Sequence, residues 1–288
     1  MNSPATLAPG ARTVRVVDVQ ARSPALDALG RLYADELDVL LVRAAAPGLT
    51  RAAARLQARA GDDGWARPNV VMPAEDIHLL GTDTPATPTF RDPRGAALEA
   101  YLDSAARLGA QAQCAIGDAV NLAQLIPEAL AHWAGGRLVE LARAGDGRPY
   151  AACTIRRLTA GCQIGLHHDR HYGLPLYADL APRVDTSTLV SFVFTLQAPE
   201  GGGDLLVYAA TSDMPDLPRQ PNGFAFDLAA VETRYQRARI SPRAGDLFIL
   251  AAGRCLHRVE AVAGPAARIT LGGFMALDRA RERVLYWS

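Results

Sequence analysis

From Tyr150 onward the chain divides into short stretches in which apolar and polar residues alternate, each bounded by glycine, proline or aspartate. Alternation of period two buries one face of an extended strand, and strands this short, reversed this often, form antiparallel layers. The expected strands are 151–158, 188–196, 204–209, 237–240, 246–250, 256–261 and 267–277. Together they read as a sandwich or barrel.

The first half mixes strand and helix. A strand is expected at 12–19, a helix at 24–37 and a second strand at 38–43. Thr50 can cap a helix that presents Ala53, Leu56 and Ala60 on one face before Gly61 ends it. Further helices are expected at 95–108 and 121–142, the second broken or restarted at Pro127. The Pro-, Gly-, Asp- and Thr-rich stretch 61–93 reads as a lid or binding loop, and so does 211–223, whose Pro215, Pro218 and Pro221 bar a central strand. No repeat or linker divides the chain. The expectation is one α+β domain over 1–288, with 1–149 as a helical and mixed support region and 150–288 as the catalytic β core.

Charge excludes several classes of function. Thirty basic and 30 acidic residues cancel, so no long-range field gathers nucleic acid or an anionic membrane. Every one of those cations is arginine, which removes Schiff-base chemistry and the phosphate-loop lysine. Cys114, Cys153, Cys162 and Cys255 are widely spaced and read as buried reduced thiols. With neither a leader-like N-terminus nor an apolar run of membrane-spanning length, a cytoplasmic, soluble protein is expected.

Three of the six histidines fall in His167-His168-Asp169-Arg170-His171, and His257 lies on a later expected strand. On an extended segment, 167 and 169 share a face and 168 takes the other. His167, Asp169 and His257 can then hold one metal on three adjacent positions and leave the rest open, as redox iron requires. A hydrolytic zinc could use the same ligands, and a solvated histidine-rich loop would show the same letters. Eleven residues beyond His257, Arg268 shares a strand face with Thr270. An arginine pointing into a barrel needs an anion. The competing position is the outer face, paired with Glu260 or Asp278. Gly201-Gly202-Gly203 reads as a hairpin turn, because neither a helix nor a lysine follows it.

In this order, H-x-D, a distal histidine and an R-x-[ST] segment resemble the iron(II)- and 2-oxoglutarate-dependent oxygenases. Thr154-Ile155-Arg156, the run 199–208, Gly245-Asp246, His257-Arg258-Val259 and the ending Tyr286-Trp287-Ser288 resemble more closely the freestanding group acting on hapalindole- and welwitindolinone-type alkaloids, which includes aliphatic halogenases. The resemblance implies a double-stranded β-helix of jelly-roll, cupin-like form, buttressed by the N-terminal helices. It implies iron(II) on His167, Asp169 and His257, 2-oxoglutarate on Arg268 and Thr270, and dioxygen as co-substrate. One departure bears on the reaction. The halogenases carry glycine or alanine where this chain has Asp169, since halide needs that coordination position. Hydroxylation of an unactivated C–H bond, with release of succinate and CO2, is therefore expected, and desaturation, cyclisation and halogenation are the alternatives. A barrel that binds a small molecule without catalysis is a further one. Arg156 is either a second inward charge or a paired structural arginine; His168 belongs on the outer face, and His171 meets substrate or water.

Overall fold

The computed structural model describes residues 12–58, 67–68, 77–80, 96–170, 179–185, 187, 189–221 and 225–288. In chain order the elements are β1 (Val16–Gln20), α1 (Ala28–Tyr33), β2 (Val39–Arg43), α2 (Thr50–Ala58), β3 (Arg67–Pro68), β4 (Ile77–Leu80), α3 (Ala96–Ile116), α4 (Leu122–Ala131), β5 (Leu138–Leu141), β6 (Thr154–Leu158), β7 (Ile164–His167) and β8 (Val190–Gln197). There follow β9 (Gly201–Gly202), β10 (Leu205–Thr211), α5 (Leu228–Arg234), β11 (Arg237–Ile240), β12 (Leu247–Leu250), β13 (Cys255–Val259), β14 (Val262–Ala263), β15 (Arg268–Leu277) and β16 (Arg283–Trp287).

Eight of these strands pass between two sheets. The larger sheet contains β12-β8-β15-β6 in that order, and the smaller is β11-β10-β13-β7. In chain order β6, β8, β12 and β15 fall in the first sheet and β7, β10, β11 and β13 in the second, with antiparallel neighbours throughout. That path is a jelly roll. The larger sheet is extended by β2 and β1 beyond β12, by β4 and β3 beyond β6, and by β16 and β5 along the second half of β15. Five of its strands therefore come from before residue 150.

Strand β8 shows how the layers are made. Phe192, Phe194 and Leu196 are buried on one face, where α2 packs and α3 packs on α2. Ser191, Val193 and Thr195 take the other face, toward the smaller sheet. There β13 and β10 set Cys255 opposite Thr211, His257 opposite Val207 and Val259 opposite Leu205. Leu206, Tyr208 and Leu256 point the opposite way and bury Met214, Leu217 and Phe226.

Several elements depart from expectation. Leu138–Leu141 is a strand, not the end of a helix: Gly135 and Gly136 both take positive φ, which turns the chain out of the helix. The helix α4 runs through Pro127 without a break, anchored by buried Ile126 and Leu130. The helix α3 continues past the expected stop at 108 to Ile116 and ends at Gly117, φ +85°. Gly201–Gly202 is not a hairpin turn, because it joins strands of different sheets and pairs with β14. Of the expected lid 211–223, the described part, 211–221, packs on the outer face of the smaller sheet through Met214 and Leu217. Cys153, Cys162 and Cys255 are buried, but Cys114 is exposed on α3. The other expected lid, 61–93, lies outside the described residues apart from β3 and β4, of which β4 pairs with β6. Among the described residues, no helix is long and apolar enough to cross a membrane.

Candidate metal centre and anion pocket

The antiparallel pairing of β7 with β13 sets His167 opposite His257. Their ring centroids are 4.2 Å apart. Each ring is held by its own strand, His167 Nδ1 lying 2.7 Å from the Gly165 carbonyl oxygen and His257 Nδ1 3.0 Å from that of Cys255. Donation of Nδ1–H to these carbonyls leaves the Nε2 lone pairs for a metal. Burial, with His167 close by, pushes His257 down to about 4, which keeps the imidazole in its ligating, neutral form at pH 7.

Asp169 follows the end of β7. Its backbone N–H donates to the Ala252 carbonyl at 2.8 Å. Its side chain is fixed at both oxygens: Ser191 Oγ donates to Oδ2 at 2.5 Å, and Oδ1 lies 3.5 Å from His167 Nε2. Burial opposes ionisation of the carboxyl, but His167, His257 and Ser191 outweigh it and hold the pKa below the ordinary carboxylate range. One ligand atom from each of His167, Asp169 and His257 lies within 4.8 Å of the others. Two imidazoles and one carboxylate, buried or half-buried, fit a divalent metal that keeps open positions.

Arg268 opens β15 and is only 3% exposed. Neither expected partner meets it, since Arg239 holds Glu260 at 2.5 and 2.8 Å, and Asp278 accepts the backbone N–H groups of Glu282 and Arg283. Burial and neighbouring Arg156 push its guanidinium down to about 10 against the pull of Asp204. Two residues on, Thr270 lies between Arg156 of β6 and Thr195 of β8. Thr195 Oγ1 is buried with no hydrogen-bond partner. Arg268 and Thr195 line one cleft of about 390 Å³ with Arg43, the 198–204 corner and the 241–243 turn. The same cleft carries Glu200 and Asp204, and its buried guanidinium and unpartnered hydroxyl are groups able to donate hydrogen bonds to an anion such as a carboxylate.

The other candidates separate cleanly. His168 points away from the triad, its ring 5.7 Å from that of Phe226. His132 caps α4 and meets the Ser23 carbonyl oxygen at 3.0 Å. His171 lies outside the described residues. The sequence reading missed Ser191 and Thr195, which sit among Val and Phe on β8. Only the alternation of that strand, once its inward face is known, marks them.

A jelly roll that brings His167, Asp169 and His257 together, and that matches the family model below, defines the class: an iron(II)- and 2-oxoglutarate-dependent oxygenase. Residues 16–288 match the family described as carrier-protein-independent halogenase WelO5, and the chain belongs to that family. No curated protein gives a significant sequence match. Among solved structures, an N-substituted L-amino acid dioxygenase from Burkholderia ambifaria AMMD is similar in fold, with 14% identity, TM-score 0.54, and 91% of this chain and 90% of that chain covered. The same dioxygenase in complex with α-ketoglutarate gives the same values.

Proposed function

We propose that this protein is a dioxygenase that hydroxylates an unactivated C–H bond of a small molecule, with His167, Asp169 and His257 holding iron(II) and Arg268 and Thr270 holding 2-oxoglutarate. When bound, the iron and 2-oxoglutarate supply the oxidising equivalent from dioxygen, with succinate and CO2 as co-products. The observation that carries the reading is the fixed carboxylate of Asp169, held by Ser191 at Oδ2 with Oδ1 toward His167. A ligand anchored in this way occupies the position that a halide would need. The backbone carbonyls of Gly165 and Cys255 keep both imidazoles oriented, and the apolar walls of the sandwich exclude water. The reading treats residues 1–288 as one cytoplasmic oxygenase domain, with the N-terminal helices backing the larger sheet.

The test is anaerobic reconstitution with iron(II), followed by a substrate screen in air for 2-oxoglutarate-dependent succinate release. A product heavier by one oxygen is expected. Activity without 2-oxoglutarate would instead favour a hydrolytic metal site. Halogenation is the second reading, favoured by the family match. Chlorinated product from the unaltered protein in chloride buffer would establish it in place of hydroxylation, as would a loss of two hydrogens for desaturation.

A further inference from the structure

Two of the three triad residues rest on one turn. Residues 251–254 join β12 of the larger sheet to β13 of the smaller one. The Ala252 carbonyl accepts the backbone N–H of Asp169 at 2.8 Å, and the carbonyl of Cys255, the residue after the turn, lies 3.0 Å from His257 Nδ1. The spacing of the Asp169 carboxylate and the His257 ring therefore depends on where this turn sits.

The turn closes on itself, the Ala251 carbonyl accepting the N–H groups of Arg254 and Cys255 at 3.0 and 2.8 Å, but its place is fixed from outside. On one side Gly253 donates its N–H to the Leu189 carbonyl at 3.2 Å, and Ser212 Oγ donates to the Gly253 carbonyl at 3.1 Å. On the other side stands the segment between α1 and β2. Ala251 donates its N–H to the Asp38 carbonyl at 3.0 Å. The Arg254 side chain crosses the same gap: Nη2 donates to the Leu37 carbonyl at 3.0 Å, and Nη1 pairs with Asp38 Oδ1 at 2.9 Å and with Asp35. One planar guanidinium thus grips three acceptors within 35–38, a geometry that an ammonium group does not reproduce. Asp38 does not depend on Arg254 for its charge balance, since Arg12 and Arg15 also meet it. Arg254 is itself partly exposed, where an ion pair adds little to the stability of a fold.

We infer that Arg254 is a positioning residue for the metal centre: it clamps the 251–254 turn to residues 35–38 and so fixes the Ala252 and Cys255 carbonyls that orient Asp169 and His257. The inference rests on the oxygenase reading. It gives the N-terminal segment a part in the chemistry of the β core, because the register of 35–38 against the turn is passed on to two ligands through backbone carbonyls.

The experiment uses the full-length protein. Mn(II) affinity is measured from the electron paramagnetic resonance signal of the free ion, and ligand geometry from the visible d–d spectrum at saturating Co(II). R254Q is expected to raise the Mn(II) dissociation constant by about tenfold or more, as for other groups that orient a metal ligand from behind, and to shift the Co(II) bands at saturation. R254K keeps a charge opposite Asp38 without the fork and is expected to fall between R254Q and wild type in both readouts; it decides the matter if R254Q does not fold. R239Q removes the ion pair with Glu260 on β11 and is expected to match wild type in both. Unchanged Mn(II) affinity in the Arg254 variants overturns the inference. Weakened affinity with a wild-type Co(II) spectrum at saturation overturns it too, since a merely less stable fold would give that result, and so does an equal change in R239Q. A wild-type protein that binds neither ion overturns the oxygenase reading, and this inference with it.

Discussion

Asp38 and Arg268 are both buried charges, and the fold treats them in opposite ways. Asp38 is fully buried and surrounded by donors: Arg12 Nη2 at 2.5 Å, the Arg15 backbone N–H at 2.9 Å and Arg254 Nη1 at 2.9 Å. Burial raises its pKa, but Arg15, Arg12 and Arg254 overcome that and hold the carboxyl below its ordinary value. A group lowered in this way stabilises the fold fully above its unfolded pKa, near 3.8, and loses that contribution as pH falls through the folded value. Asp38→Asn is therefore expected to lower stability at pH 7 by about 3–5 kcal/mol, as for other buried pairs stripped of one charge. The gap between variant and wild type should narrow below pH ~4, which urea unfolding at pH 7, 4.5 and 3.5 would measure. A gap that is constant with pH would mean that Asp38 acts through packing. Arg268, by contrast, forms no ion pair with any carboxylate among the described residues, and a structural arginine is not built that way.

At the level of elements, β15 carries the strongest constraint. It pairs with β8 along one edge and with β6 and then β16 along the other, and the change from β6 to β16 falls at Gly272-Gly273. A Cβ at Gly272 would lie 2.4 Å from the Phe192 carbonyl oxygen, and one at Gly273 would lie 2.3 Å from that of Trp287. Both obstacles are backbone, which cannot rotate away. Gly272→Ala is expected to cost about 1–3 kcal/mol through overpacking, read as a lowered midpoint in thermal or urea unfolding; a midpoint equal to wild type would show that the strands separate freely there. Seven strands of the second half, β6, β8, β10–β13 and β15, were legible as elements because alternation and turn residues mark them, whereas β7, β9 and β14 were not. What alternation could not give was partnership. β16 was missed altogether, and β5 was read as helix, because a short parallel pair at the margin of a sheet leaves no pattern of its own in the sequence.

For the whole molecule, the final strand closes the sheet. Val284, Tyr286 and Trp287 are buried on β16, which links β15 to β5, and Ser288 donates its N–H to the Ala151 carbonyl at 2.7 Å. Burial of side chains of this size contributes roughly 1.5–3 kcal/mol each, so their joint loss approaches the 5–15 kcal/mol that holds a domain folded. Deletion of residues 283–288 is expected to abolish cooperative unfolding and the near-ultraviolet circular dichroism signal, even though every residue of the triad remains. A truncated protein that unfolds cooperatively would show the jelly roll to be sufficient without its marginal strands.

The sequence by itself determined the chemistry on offer. His167 and Asp169 share a face because they are two residues apart, Arg268 and Thr270 for the same reason, and the absence of lysine left arginine as the only cation that could meet an acid. Local spacing fixes relations of that kind. Only the tertiary structure decided which groups meet across the chain: that β13 sets His257 against His167, that Ser191 reaches from β8 to hold Asp169, and that Arg268 is left without Glu260 or Asp278. These contacts depend on register between strands far apart in sequence, which is set by how two sheets bury their inner faces against each other, and no short window of residues contains that information.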